Sequence, residues 1–218
     1  MQPIFITGIG TNIGKTVIAA ILAEVLEADY WKPVQAGYEN GTDSEWVKKV
    51  VSNAVTKIHP ETYKLHLAAS PHIAAREEGL KINLDEIERN FKIIQQKENR
   101  PLIIEGAGGL MVPLNENEFV LDLIKKLNAK LIIVSRNYLG SINHSLLTAS
   151  ICKSNNIPVK GWIFNDQYLD YEDEIIRWTG IQRIASVPFI TNPGRENIAR
   201  HAKLLGTEIR KVLGNAEA

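Results

Sequence analysis

Residues 7–16, TGIGTNIGKT, decide the fold. They follow the apolar run PIFI (3–6) and open into VIAAILAEVL (17–26), whose apolar positions recur at helical spacing. A glycine-rich turn therefore joins a strand to a helix N-terminus. Free N–H groups and the positive end of the helix dipole make such a junction an anion site. Within GKT, Lys15 can reach between β- and γ-phosphates and the Thr16 hydroxyl can ligate Mg²⁺. The spacing is shifted, however. A standard phosphate loop has glycine five residues before Gly14, and this chain has Ile9 there, between Gly8 and Gly10. A dinucleotide loop fits less well: it needs no Lys-Thr and favours an acidic residue after the second strand, where this chain reads WKPV (31–34).

Outward from the loop, β-branched runs recur as PIFIT (3–7), DYWKPV (29–34), RPLIIE (100–105), KLIIVS (130–135), VKGWIF (159–164) and IQRIASVP (181–188). Helix-period segments at 14–27, 43–55, 83–98, 119–128, 140–156 and 195–214 lie between or after them. Asn83 and Glu86 are spaced as a capping box for the third. Strands alternating with helices predict an α/β fold of three layers, with a mostly parallel central sheet flanked by helices, as in P-loop NTPases. No linker-like or low-complexity stretch divides the chain, so one domain spanning 1–218 is expected.

Lys plus Arg and Asp plus Glu both total 25, which removes the basic field that draws proteins to nucleic acid or anionic lipid. A small-molecule partner is the better expectation. The chain enters a strand at once and holds no apolar run of membrane-spanning length, which points to a cytoplasmic protein without a membrane partner. The single cysteine, Cys152, falls in a helical segment where a buried, inert thiol is expected. His59, His66, His72, His144 and His201 have no metal-ligand spacing, which argues against zinc.

In open parallel sheets ligands bind beyond the carboxyl ends of the strands, so the residues there are the candidates. Lys32, held at a strand's mouth by Pro33, suits a second cation that offsets charge on a transferring phosphoryl group. Asp43 begins a helix, as a cap or as a metal ligand. Glu105 at the tip of PLIIE suits Mg²⁺ or its water shell, and Gly106, Gly108 and Gly109 allow close approach to the backbone. Gly140, Ser141 and Asn143 open a helix whose N–H groups suit a carboxylate, with N-capping by Ser141 the alternative. Asn165 and Asp166 could read a nucleobase edge, and Val187, Pro188 and Phe189 could form an apolar lip.

TGIGTNIGKT, KPVQAG (32–37), SPHIAA (70–75), EGAGGLMVPL (105–114), LGSINHSLLTA (139–149) and GWIFND (161–166) together resemble the dethiobiotin synthetases. The resemblance runs from Ile4 to about Asn197 and includes the shifted loop. It implies a homodimer that converts 7,8-diaminopelargonic acid, CO₂ and MgATP into dethiobiotin, ADP and phosphate. A carbamate of one amine attacks the γ-phosphate, and the other amine closes the ring on the mixed anhydride. It implies that Asn12, Ile13, Gly14, Lys15, Thr16 and Val17 surround the phosphates, that Thr16, Asp43 and Glu105 hold Mg²⁺, and that Lys32 and Lys15 are the catalytic lysines. Glu105, Gly106, Ala107 and Gly108 would line the nucleotide site, and Asn165, Asp166 and Val187 to Phe189 the base. Thr11, Ala36 and Pro71 fall where the diamine lies, and Gly140 to Asn143 of a partner subunit would take its distant carboxylate.

Two positions depart from that pattern. Ala36 stands where the family often has a hydroxyl residue, which predicts weaker substrate binding, and Asn12 stands where an acid is common. The rival is a regulatory partition-type ATPase. Those proteins carry a signature lysine five residues before the loop lysine, and this chain has Gly10 there.

Overall fold

In the computed structural model, which describes residues 2–97, 99–166 and 168–214, β1 (Ile4–Gly8) is buried along its length and passes through the glycine turn into α1 (Lys15–Leu26). There follow β2 (Asp29–Trp31), β3 (Val34–Ala36), α2 (Asp43–Val50), β4 (Ile58–His59), β5 (Tyr63–Leu65), α3 (Pro71–Glu77) and α4 (Leu84–Lys97). The chain continues through β6 (Leu102–Gly109), α5 (Val120–Lys126), β7 (Lys130–Arg136), α6 (Ser141–Ser154), β8 (Val159–Asn165), α7 (Glu172–Thr179), β9 (Arg183–Val187) and α8 (Arg195–Leu213).

Seven strands form one sheet in the order β4-β2-β6-β1-β7-β8-β9, and every pairing described in it is parallel. Helices cover both faces, which is why the strands read as unbroken apolar runs. From β1 the chain moves first to one side of the sheet and later to the other, so the carboxyl ends of β1, β6 and β7 border a crevice. Register sets the crevice floor: Ile6 lies beside Glu105 and Gly8 beside Gly109. The core's largest fully buried side chains are Trp31, Trp162, Tyr30, Phe5 and Phe164, and Phe91 of α4 stacks on Trp31 with ring centroids 6.4 Å apart.

The expected DYWKPV strand divides at Lys32–Pro33. Pro33 has no N–H for the ladder, so β2 leaves the main sheet there and β3 pairs with β5 in a separate two-stranded sheet. The helix expected over 43–55 stops at Val50, because the Glu24 carboxylate captures the Ser52 N–H at 2.7 Å and its hydroxyl at 2.5 Å. The Asn83/Glu86 capping box is relayed. Tyr63 accepts the Asn83 N–H at 3.1 Å and donates its own hydroxyl to Glu86. Glu98, the last residue of the expected 83–98 helix, lies outside the described residues. β4, β5, α3 and α7 had no expectation because two or three strand residues, or two helical turns, carry too little periodicity. No helix among the described residues is long and apolar enough to cross a membrane.

Candidate active site

The shifted glycine has a steric cause. A Cβ on Gly8 would sit 2.1 Å from Ile13 Cδ1, because the buried Ile13 side chain folds back under the loop. Ile9 meanwhile continues the strand ladder, its N–H donating to the Val134 carbonyl at 3.1 Å. The loop proper thus begins one residue later than usual. Gly14 has φ 89°, and a Cβ there would lie 2.0 Å from the Asn165 amide nitrogen. Only glycine fits that position.

The loop opens onto a cleft of about 810 Å³ at the carboxyl ends of β1, β2 and β6. Asn12, Gly14, Lys15, Thr16 and Val17 line one wall, and Lys32, Asp43, Glu105, Ala107 and Gly108 line the next. Glu105 is only 1% exposed. Its Oε1 accepts from Lys32 Nζ at 3.1 Å and from the Thr16 hydroxyl at 2.8 Å, and its Oε2 accepts from the Tyr30 hydroxyl at 2.8 Å. Lys32 also pairs with Asp43 Oδ2. Burial works against the Lys32 charge, yet Glu105 and Asp43 outweigh it and hold its pKa above the ordinary lysine value. Lys15 is nearly as buried but has no such partner among the described residues; its Nζ donates to the Gly10 carbonyl at 3.0 Å. Burial pushes its pKa down to about 8, against the pull of Glu105 and with the help of Lys32. Two lysines and two carboxylates give a formally charge-balanced centre in which Lys32 is tied to the carboxylates and Lys15 is the cation turned toward the loop.

The structure removes the capping reading of Asp43. Thr42 is the cap of α2, in a capping box with Glu45, so Asp43 is free to face Lys32. Its backbone N–H donates to Gln35 Oε1 at 3.2 Å, which fixes the helix start against β3. Tyr30 and Gln35 are the residues that sequence reasoning missed. Tyr30 precedes Lys32 by two positions, so strand alternation turns both to one face. Burial, then the Glu105 charge, pushes the Tyr30 hydroxyl pKa well up, so it stays a hydrogen-bond donor.

Thr11, Ala36 and Pro71 line the same cleft, together with Ser70. Other expectations are corrected. Gly106 does not line the cleft; a Cβ there would meet the Phe5 ring at 2.6 Å, so its glycine serves core packing. Asn165 is only partly free for a base, since one N–H of its Nδ2 donates to the Ile13 carbonyl at 2.8 Å and clamps the loop. Asp166, at φ 78°, is paired with Arg136 Nε at 3.3 Å. Val187 is buried at 1% exposure and gives only a carbonyl, which accepts the Asp166 N–H at 2.9 Å. Pro188 and Phe189 are exposed, and the Arg136 guanidinium lies 5.8 Å from the Phe189 ring centroid. Asp166, Phe189 and Arg136 share a second, open depression after β7 and β8, separate from the phosphate cleft.

Gly140, Ser141 and Asn143 do not reach the cleft of their own chain. Ser141 is fully buried, its Oγ 2.6 Å from the Tyr171 hydroxyl and its N–H donating to the Tyr138 carbonyl, so its side chain has no surface to offer a ligand. Gly140 and Asn143 are exposed, next to a Leu139 that is 99% exposed. Cys152 is buried, and burial pushes its thiol up to about 12, which leaves it inert. Among the described residues no group of three or more His, Cys, Asp or Glu side chains could hold a metal ion.

Comparison with known proteins assigns this geometry. The family model described as an AAA domain matches residues 2–197. The ATP-dependent dethiobiotin synthetase BioD of Cytophaga hutchinsonii is 49% identical over 81% of this chain and 82% of its own. That of Rhodopseudomonas palustris is 41% identical over 98% of both chains. Among solved structures, the MinD cell division protein of Aquifex aeolicus covers 100% of this chain and 99% of its own with a TM-score of 0.62, at 15% identity. A ParA family ATPase from Chlorobium tepidum covers 99% and 93% with a TM-score of 0.55, at 14% identity. These two likenesses establish the P-loop fold and nothing of a switch function, and the partition-type alternative is not favoured. With both the AAA-domain match and the long, high-identity alignments in agreement, the chain belongs to the ATP-dependent dethiobiotin synthetases.

Proposed function

We propose that the chain, acting as one domain of 218 residues, carboxylates 7,8-diaminopelargonic acid with CO₂ and closes its ureido ring at the expense of ATP, giving dethiobiotin, ADP and phosphate. One observation carries this reading: Lys15, Lys32, Thr16, Asp43 and Glu105 converge on a single cleft that Thr11, Ala36 and Pro71 also line. The loop N–H groups and Lys15 hold the polyphosphate. Lys32, buried and firmly cationic, faces the transferring group and offsets charge that grows between the carbamate oxygen and the γ-phosphate. Ring closure then needs only that the second amine lie beside the anhydride carbon, a matter of alignment. We place the reaction in the cytoplasm, and the balance of 25 basic and 25 acidic side chains favours small-molecule partners over nucleic acid or a membrane surface.

The donors fit Mg²⁺. A hydroxyl and two carboxylates offer hard oxygens within the one cleft, too few for a dedicated cage and suited to an ion that keeps several waters and shares its shell with phosphates. When bound with the nucleotide, Mg²⁺ neutralises charge on the β- and γ-phosphates. Thr16, Asp43 and Glu105 would hold it, with Lys32 moving off the carboxylates toward substrate.

Ala36 lines the cleft without a hydroxyl to offer the diamine. Ala36→Ser should lower the KM for the diamine by about two- to tenfold, the worth of one hydrogen bond, with kcat unchanged in steady-state assays.

The exposed start of α6 supports a homodimer in which Gly140 and Asn143 of one subunit reach the carboxylate of a diamine bound to the other. Asn143→Ala should raise the diamine KM and leave ATP binding alone. Mixed dimers of Lys32→Ala and Asn143→Ala chains should regain one competent site; demonstrated mixing without regained activity would count against the shared site.

A further inference from the structure

Strand register places a phenol behind the carboxylate that would hold the metal ion. β2 and β6 are parallel neighbours, with Tyr30 beside Ile103 and Trp31 beside Ile104, so Lys32 follows level with Glu105. Alternate residues of a strand share a face, and Tyr30 therefore projects from the same side of the sheet as Lys32 and Glu105. Lys32 and Glu105 line the cleft, whereas Tyr30 does not and is 0% exposed. Its hydroxyl donates to Glu105 Oε2 at 2.8 Å from within the core.

The two oxygens of Glu105 are thus held in different ways. Oε1 accepts from two groups that line the cleft, the Thr16 hydroxyl at 2.8 Å and Lys32 Nζ at 3.1 Å. Both donors have another task once MgATP is bound: the Thr16 oxygen would turn to the ion and Lys32 would move toward substrate. Tyr30 has no such alternative, because it is sealed away from the cleft and its bond to Oε2 needs no ligand to leave or arrive. The phenol occupies Oε2 and fixes the plane of the carboxylate, so Glu105 is built to give a cation one oxygen. That suits a small ion. Mg²⁺ demands near-octahedral geometry and keeps several waters, whereas Ca²⁺ takes more oxygens at longer range and readily uses both oxygens of a carboxylate.

We propose that Tyr30 is the positioning residue that restricts Glu105 to one metal-facing oxygen and so makes the centre select Mg²⁺ over Ca²⁺, an inference that rests on the metal reading above. Tyr30 touches neither nucleotide nor ion. It acts through Glu105 alone, as hydrogen-bonded partners of metal-ligating carboxylates do.

The test is calorimetric titration of the full-length protein with a non-hydrolysable ATP analogue in saturating Mg²⁺, in saturating Ca²⁺ and in chelator. The natural protein should bind the Mg²⁺ form more tightly than the Ca²⁺ form. Tyr30→Phe keeps the ring that packs in the core and removes only the donor, which frees Oε2 to join Oε1 on a larger ion. The variant should bind the Mg²⁺ form about 10- to 100-fold more weakly, the usual cost of losing such a partner, and the Ca²⁺ form nearly as before. A merely structural role would weaken both forms alike. A folded Tyr30→Phe protein whose Ca²⁺-to-Mg²⁺ ratio of Kd values matches the natural one would therefore overturn the inference. Equal binding of the two forms by the natural protein would overturn it without any variant, so the test does not hang on the variant's folding. If the natural protein binds the analogue equally well in chelator, the metal reading itself fails and takes this inference with it.

Discussion

Lys32→Ala should lower kcat by about 10² to 10³ while ATP affinity stays within several-fold, because its ammonium acts on charge that appears only as the phosphoryl group moves. The same change should cost stability. Glu105 is 1% exposed and would lose its cation, and breaking a buried pair typically costs about 3 to 5 kcal/mol. Thr16 and Tyr30 still donate to Glu105, and the Asp43 side chain is 35% exposed and can hydrate, which puts the loss toward the low end of that range. Mg²⁺ should restore part of the lost melting temperature in the variant and little in the natural protein, where Lys32 already balances the carboxylates. An unchanged kcat would remove Lys32 from the mechanism, and thermal melts with and without MgCl₂ check the second claim.

Lys15→Met should do the opposite to stability and as much damage to function. It removes the cation that the phosphate loop exists to present, so ATP binding should weaken about 100-fold, toward the upper end of what a hydrogen bond to a charged group is worth. It also removes a buried ammonium whose pKa is pushed down to about 8 from 10.5. The folded state thus holds fewer protons than the unfolded chain between those values. The resulting penalty is complete below about pH 8 and fades as pH rises toward 10.5. The ligand-free variant should melt several degrees above the natural protein at pH 7, with the gap closing by pH 10, since each kcal/mol moves Tm by about 2–4 °C in a chain this long. A lower Tm for the variant at pH 7 would contradict a strained, function-first lysine.

Local signals that act through nearby residues were legible in the sequence. GKT after an apolar strand fixed the phosphate loop, and the carboxyl-end rule brought Lys32, Asp43 and Glu105 together before any coordinates did. Signals that depend on distant packing were not. Nothing in TGIGTNIGKT states that Ile13 fills the space over Gly8, or that Asn165, 152 residues away, clamps the Ile13 carbonyl. Asn165 and Asp166 read as free polar groups because their partners, the loop backbone and Arg136, come from other strands. Val187 read as part of a lip because a strand's last residue looks the same in sequence whether its side chain faces core or solvent. Ser141 read as either cap or ligand; its bond to Tyr171 depends on α7, a helix too short to announce itself.

The most direct test of the central claim is phosphate release by the purified protein with MgATP, with and without 7,8-diaminopelargonic acid and bicarbonate, with the organic product weighed by mass spectrometry. Release that requires both additions, with one dethiobiotin formed per phosphate, is the predicted result. Phosphate release that proceeds at the same rate without the diamine, with no dethiobiotin formed, would contradict it.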